Sequence, residues 1–248
     1  MRKLFYCISI VIASCNSGGQ VCLSKEVDFA GQQYYADGCL INDMETGAWS
    51  FYQVPKKLIS RGIYERGIRI GEWHYPENSP DSTIEWKRYE KRNLELAFNI
   101  PTRLQVVSDT LSDAIFSNFD SSKLFNIILS VIPIEETDKQ TGNYYQQGEG
   151  EIKDKGWKFS RKSSKIITKN QEFYFNTYTI TISAGQSFKV LNMYRLMADK
   201  KLLEISCRYD EQIESSAKII FFSVVTNSFY KNERFLNPFE KIKGEVSY

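Results

Sequence analysis

Gly62-Ile63-Tyr64-Glu65-Arg66-Gly67-Ile68-Arg69-Ile70-Gly71-Glu72-Trp73-His74-Tyr75 is the most ordered stretch of the chain. Glycines recur where a hairpin needs positive φ, and aromatic residues alternate with polar ones as on a half-buried strand. Upstream, Gly47-Ala48-Trp49-Ser50-Phe51-Tyr52 repeats the Gly-x-Trp half of Gly71-Glu72-Trp73-His74-Tyr75 at a spacing of 24 residues. A fixed period of about 20–25 residues marks stacked supersecondary units, and two copies fall short of the three or more that such arrays need to stand alone. The copies are therefore expected to lean on neighbouring structure. Alternation turns His74, the single histidine of the chain, away from Trp73 and Tyr75 and towards solvent, with no companion residue that would make it catalytic.

Before this stretch lies a different kind of segment. Arg2 and Lys3 precede an apolar run from Leu4 to Ala13, shorter than the roughly 20 residues a bilayer span needs, so it reads as a secretory signal. The run ends in Ile12-Ala13-Ser14-Cys15, which resembles the lipobox of bacterial lipoproteins. That resemblance implies cleavage before Cys15, acylation of Cys15 (palmitate among the chains) and a membrane-anchored address in the bacterial cell envelope, the outer membrane if the cell is Gram-negative. A plain signal peptide with an incidental Cys, or a buried strand, are the competing readings. Several acyl chains on one residue meet the two-signal requirement for stable anchoring. Asn16 to Gln20 then reads as a flexible tether.

Cleavage changes the arithmetic. Of 248 residues, 32 are Lys or Arg and 30 are Asp or Glu; losing Arg2 and Lys3 leaves the mature body neutral, a poor platform for gripping nucleic acid. Cys7 goes with the signal and Cys15 with the lipid, which leaves Cys22, Cys39 and Cys207. In an oxidising envelope Cys22 and Cys39 could pair and close a loop, while Cys207, inside an apolar run, reads as a small buried hydrophobe. Sequence alone does not decide the pairing.

Gly62, Tyr64, Gly67, Arg69, Gly71, Trp73 and Tyr75 resemble the MORN-type repeats, in the variant of the family named for the YwqK antitoxin. In the first unit Gly47, Trp49 and Tyr52 match, and the residues before them are degenerate. A third unit would begin in the loop Pro76–Pro80, with Ile84–Tyr89 supplying only a strand. The resemblance implies successive β-hairpins in one elongated sheet and a binding protein, variously membrane-contacting, scaffolding or toxin-neutralising. Trp49, Tyr52, Tyr64, Trp73 and Tyr75 are then candidate partner-binding aromatics, against the simpler reading that they are the core of a thin sheet.

The C-terminal half reads as conventional α+β. Leu94, Leu96, Phe98 and Ile100 alternate as a strand ending at Pro101, and Leu124–Ile134 suits a central strand. Phe173–Ile182, Phe188–Ala198 and Leu202–Arg208 are further strands, the last two joined tightly through Asp199-Lys200-Lys201. Ile213, Ala217, Ile220, Phe221, Val224 and Ser228 recur at helical spacing behind Asp210 as N-cap. The Phe98-Asn99-Ile100-Pro101 opening, the Tyr178–Ile182 and Val190–Leu196 strands and a closing Ala217–Phe229 helix resemble the Mog1/PsbP-like α/β/α sandwich, including envelope lipoproteins related to DcrB. That resemblance implies a mainly antiparallel sheet and partner binding. The expected organisation is a signal over 1–14, a tether and lead-in over 15–37, a β-hairpin repeat module over 38–93 and the sandwich over 94–248.

Catalytic signatures are missing. Thr181-Ile182-Ser183-Ala184-Gly185 lacks the first glycine of a nucleophile elbow, and Gly148-Glu149-Gly150 lacks the third glycine of a dinucleotide loop. Glu135, Glu136 and Asp138 read as a solvated loop rather than a carboxylate pair or metal site. Lys153, Lys155, Lys158, Arg161, Lys162 and Lys165 interleave with Trp157 and Phe159; alternation is expected to put the rings inward and the cations outward, with anionic lipid or glycan contact as the alternative. The expectation is a non-catalytic, membrane-tethered interaction module with no cofactor, no metal and no nucleic acid, and with a protein as partner. An immunity-type lipoprotein that neutralises a toxin and an envelope hydrolase are the alternatives.

Overall fold

The computed structural model describes residues 19–29, 32–53, 57–76, 82–108, 114–117, 127–135, 153–168, 171–182, 185–238, 240 and 244–247. Cys15, the lipobox and the Glu136–Asp138 loop lie outside them. The repeat residues fold as an antiparallel meander: β1 (Gln20–Phe29), β2 (Gln32–Ile41), β3 (Met44–Gln53), β4 (Lys57–Glu65), β5 (Ile68–His74), β6 (Thr83–Lys91) and β7 (Leu96–Pro101), each bonded to the next. Two-residue turns at Asn42-Asp43 and Arg66-Gly67 hold φ of 50° and 60°, and 49° and 75°, the twist that tight hairpins require.

The 24-residue period is exact in three dimensions. Trp49 donates through Nε1 to the carbonyl of Cys39 (3.2 Å), and Trp73 does the same to Ile63 (3.1 Å). Each indole lies flat on a glycine of the preceding strand. A Cβ at Gly38 would come 2.1 Å from the Trp49 ring, and one at Gly62 would come 2.3 Å from Trp73. The register slips at both places, between Asp37 and Cys39 and between Arg61 and Ile63. Gly47 and Gly71 take the bulged positions at φ of 73° and 60°. Gly38 thus supplies the seat that looked degenerate in the first unit.

Residues 20–37, expected as tether and lead-in, are mostly strand: β1 and β2 pair from Gln20↔Ile41 to Phe29↔Gln32. At the other end, β6 pairs with β7 from Lys91↔Leu96 to Trp86↔Pro101, so the sheet runs through the boundary expected at 93/94 without a break. The sheet then receives β15 (Phe229–Tyr230) and β16 (Glu233–Arg234) from the C-terminal region, for nine strands in all.

A second, eight-stranded sheet follows. It contains β8 (Gln105–Ser108), β9 (Ala114–Ser117), β10 (Ile127–Glu135), β11 (Lys158–Ile167), β12 (Glu172–Thr181), β13 (Ser187–Leu196), β14 (Lys201–Tyr209) and β17 (Gly244–Ser247), in the order β17-β11-β12-β13-β14-β10-β9-β8. β10 lies between β14 and β9, which suits its apolar composition. Among the described residues the long helical element is α1 (Glu214–Thr226), preceded by a 3-10 turn over Glu211–Ile213. Among the described residues the architecture is therefore mostly antiparallel β with one long helix.

The helix stops at Thr226, short of the expected Phe229, because Phe229 is needed in β15 beside Ala97. Asp210 makes no side-chain capping bond. Ala217, Ile220, Phe221 and Val224 are fully buried and join one core with both sheets. Asn99 of β7 donates to Ser223 of α1 (2.7 Å), while the adjacent Phe98 meets Phe116 of β9 (ring centroids 5.7 Å apart).

A buried ion pair ties the repeat strands to the C-terminal elements. Glu45 of β3, 0% exposed, accepts from both terminal nitrogens of Arg234 at 2.8 Å. Arg234 also donates to the Thr226 carbonyl through Nε (2.9 Å) and Nη2 (2.7 Å), placing its charge at the helix C-terminus. Cys22 and Cys39, directly opposed on β1 and β2, form a disulfide; Cys207 is free and buried, and burial pushes its thiol up to about 12.

Candidate functional site

The candidate aromatics divide between the two faces of the first sheet. Trp49, Tyr64, Trp73 and Tyr75 are 1%, 2%, 0% and 3% exposed, so they form the core on the inner face and offer no open platform. Their rings interlock, with Tyr64 edge-on to Trp73 at 5.1 Å and to Trp49 at 5.9 Å. Tyr52 is half-buried opposite Tyr35, which is 40% exposed.

The accessible feature lies on the outer face. Ser50, Arg61 and His74 stand in one row across β3, β4 and β5, and Ala48, Ile63 and Ile70 in the row beside it. Between these rows runs an open groove of about 380 Å³ lined by Ala48, Ser50, Arg61, Ile63, Glu72 and His74, with Trp49 and Gly62 at its floor. Ile63 is 50% exposed; Arg61 and Glu72 are exposed and His74 is half-buried. The groove thus combines an apolar centre with a cation, a carboxylate and an imidazole on bulged antiparallel strands. It can recognise a complementary surface through contact and charge. Its bulges and indole-on-glycine packing fix the spacing of these side chains, because no rotation of a strand is possible without displacing a tryptophan.

No protein-family model matches this chain, and no curated protein does. Among solved structures it is similar to cyanobacterial PsbP (CyanoP) from Synechocystis, at 14% identity with a TM-score of 0.44, covering 58% of this chain and 92% of that one. It is also similar to the Ran-binding protein Mog1p of Saccharomyces cerevisiae, at 12% identity with a TM-score of 0.42, covering 60% of this chain and 97% of that one.

The basic-aromatic run departs from expectation. Trp157 and Phe159 are half-buried, and cations before the strand cover their rings instead of pointing away from them. Lys155 stacks over Trp157 at 5.0 Å, Lys153 over Phe159 at 5.7 Å, and Arg208 over Phe188 at 3.7 Å. Within β11, Arg161 and Lys165 share the parity of Phe159 and so point the same way, whereas Lys158 and Lys162 point the opposite way; Lys153 and Lys155 precede the strand in a turn, where strand alternation does not apply. Among the described residues no group of three or more His, Cys, Asp or Glu is placed to hold a metal ion.

Arg69 entered the sequence reading only as a repeat consensus position. Arg69 is half-buried on the inner face, with its guanidinium 4.2 Å over Trp73, 5.4 Å from Phe51 and 5.7 Å from Tyr64. Its Nε donates to Tyr64 Oη and its Nη1 to Tyr75 Oη, both at 3.1 Å. The spacing that could have flagged it is the same period of 24, which sets Arg69 where the first unit has Glu45.

Proposed function

We propose that the protein is a cell-envelope lipoprotein, anchored through an acylated Cys15, that binds a protein partner on the outer face of its repeat sheet and performs no chemistry of its own. The observation that carries this reading is the Arg61–Ile63–Glu72–His74 groove on a sheet whose large aromatics are already buried. Such a surface is preorganised, so binding would sacrifice little conformational freedom. We read the hairpins as MORN-like units of the YwqK-antitoxin type, and the remainder as a DcrB-related α/β sandwich of Mog1/PsbP-like build. The Cys22–Cys39 disulfide supports an oxidising compartment.

Two variants test the reading. Cys15→Ala should move the protein from membrane to soluble fractions and abolish lipid labelling; unchanged fractionation and labelling would refute the anchor. Arg61→Glu combined with Glu72→Lys inverts the groove charges without touching the core. It should abolish partner co-purification from crosslinked envelopes while leaving Tm unchanged, and retention of the same partner would refute the groove.

A further inference from the structure

We propose that the inner face of the repeat sheet holds a seat for an oxyanion, a carboxylate or phosphate group, formed by Arg69, Tyr64 and Tyr75. This site is separate from the outer groove and rests on hydrogen-bond and charge accounting. Tyr75 Oη accepts from Arg69 Nη1 and from Trp86 Nε1, each at 3.1 Å. A phenol oxygen has two lone pairs and one proton, so both acceptor sites of Tyr75 are filled and its proton must go to another group. Tyr64 Oη accepts from Arg69 Nε and likewise has a proton to give. Among the described residues neither proton has an acceptor, although Tyr64 and Tyr75 are only 2% and 3% exposed.

Charge points the same way. Arg69 has no carboxylate within ion-pairing distance among the described residues, and its Nη2 carries no hydrogen bond. Among the described residues the guanidinium meets, besides the two phenol oxygens, only ring faces. The carboxylate at the equivalent position of the first unit, Glu45, gives both oxygens to Arg234. Arg69, Arg234 and Glu45 together carry one net positive charge, and Glu45 is committed to Arg234. Leaving a cation half-buried without an anion, beside buried donors without acceptors, is costly. An oxyanion resolves all three deficits: one oxygen meets Arg69 Nη2, and its lone pairs accept from the two phenols. Burial pushes the pKa values of both phenols above the ordinary tyrosine value, so both keep their protons at neutral pH. Trp73 beneath the guanidinium would report occupancy.

The test titrates the oxidised full-length protein with inorganic phosphate and, separately, with acetate, at ionic strength held constant with chloride. Calorimetric heat and tryptophan emission are followed together. A saturable signal with phosphate, acetate or both supports the seat, and the anion that saturates identifies the group it takes. Arg69→Gln should abolish the signal, and Tyr64→Phe, which keeps the ring and its packing, should weaken affinity about tenfold, the worth of a hydrogen bond to a charged group. Absence of saturable heat with both anions overturns the proposal. So does saturable binding whose affinity is unchanged in Tyr64→Phe, which decides the matter if Arg69→Gln does not fold.

Discussion

At the scale of single residues, Gly62 and Glu214 show how tightly this sequence is bound to its structure. The Trp73 ring occupies the space where a Cβ at position 62 would stand, 2.3 Å from the nearest ring atom, and the Trp73–Ile63 hydrogen bond prevents the ring from tilting away. Gly62→Ala should therefore destabilise the protein by about 1–3 kcal/mol, the usual range for overpacking. Urea unfolding measures this, and a loss below about 0.5 kcal/mol would contradict the seat. Glu214 accepts from Lys189 (2.6 Å) and Lys218 (2.7 Å), and those hydrogen bonds hold its carboxyl below the usual glutamate value. A pKa depressed on folding adds stability that is fully present above the unfolded value, about 4.3, and is lost as pH falls through the depressed one. Glu214→Gln should thus lower Tm at pH 7 and flatten its decline in acid; parallel Tm–pH curves for the two proteins would contradict this.

At the scale of elements, among the described residues β1 is bonded to the first sheet through β2, with the Cys22–Cys39 bridge, 17 residues apart, joining the two strands. Reduction should release about 3 kcal/mol of stabilisation on the chain-entropy account and expose the amides of Gln20–Phe29 to exchange before those of β4 and β5. Uniform loss of protection across the sheet would contradict a local role. The elements also show what was legible in the sequence. Gly62, Trp73 and their neighbours were readable because indole-on-glycine packing demands both residues at fixed spacing. The first unit was obscured because Leu40 and Glu45 stand where the second has Tyr64 and Arg69. Those exchanges make sense only once Arg234, far along the chain, is seen to match Glu45. β1 falls within the lead-in expected over 15–37 because an edge strand shows little apolar pattern, and β15 was absorbed into the helix because Ser228 and Phe229 keep its period. For the candidate site, the composition of the repeat was legible, but which face would be buried was decided by where α1 and the second sheet pack.

At the scale of the whole molecule, two segments of different texture share one sheet and one core. The pairing of β6 with β7 and the Glu45–Arg234 bridge run through the junction. Calorimetry should accordingly show one unfolding transition, and two well-separated transitions would mean that the repeat strands fold apart from the rest. A shared core also explains why only two repeat units suffice where free-standing arrays need more. Among the described residues no element covers the outer groove, which is the basis for proposing partner binding there. The most direct test of that assignment is a photo-crosslinking residue placed at Ile63, in the groove, compared with one at Val106, equally exposed on β8 of the second sheet. Irradiated in native envelopes, the protein should give one discrete adduct from position 63 that is absent from position 106 and disappears with Arg61→Glu and Glu72→Lys. No adduct at 63, or the same adducts from both positions, would contradict the account.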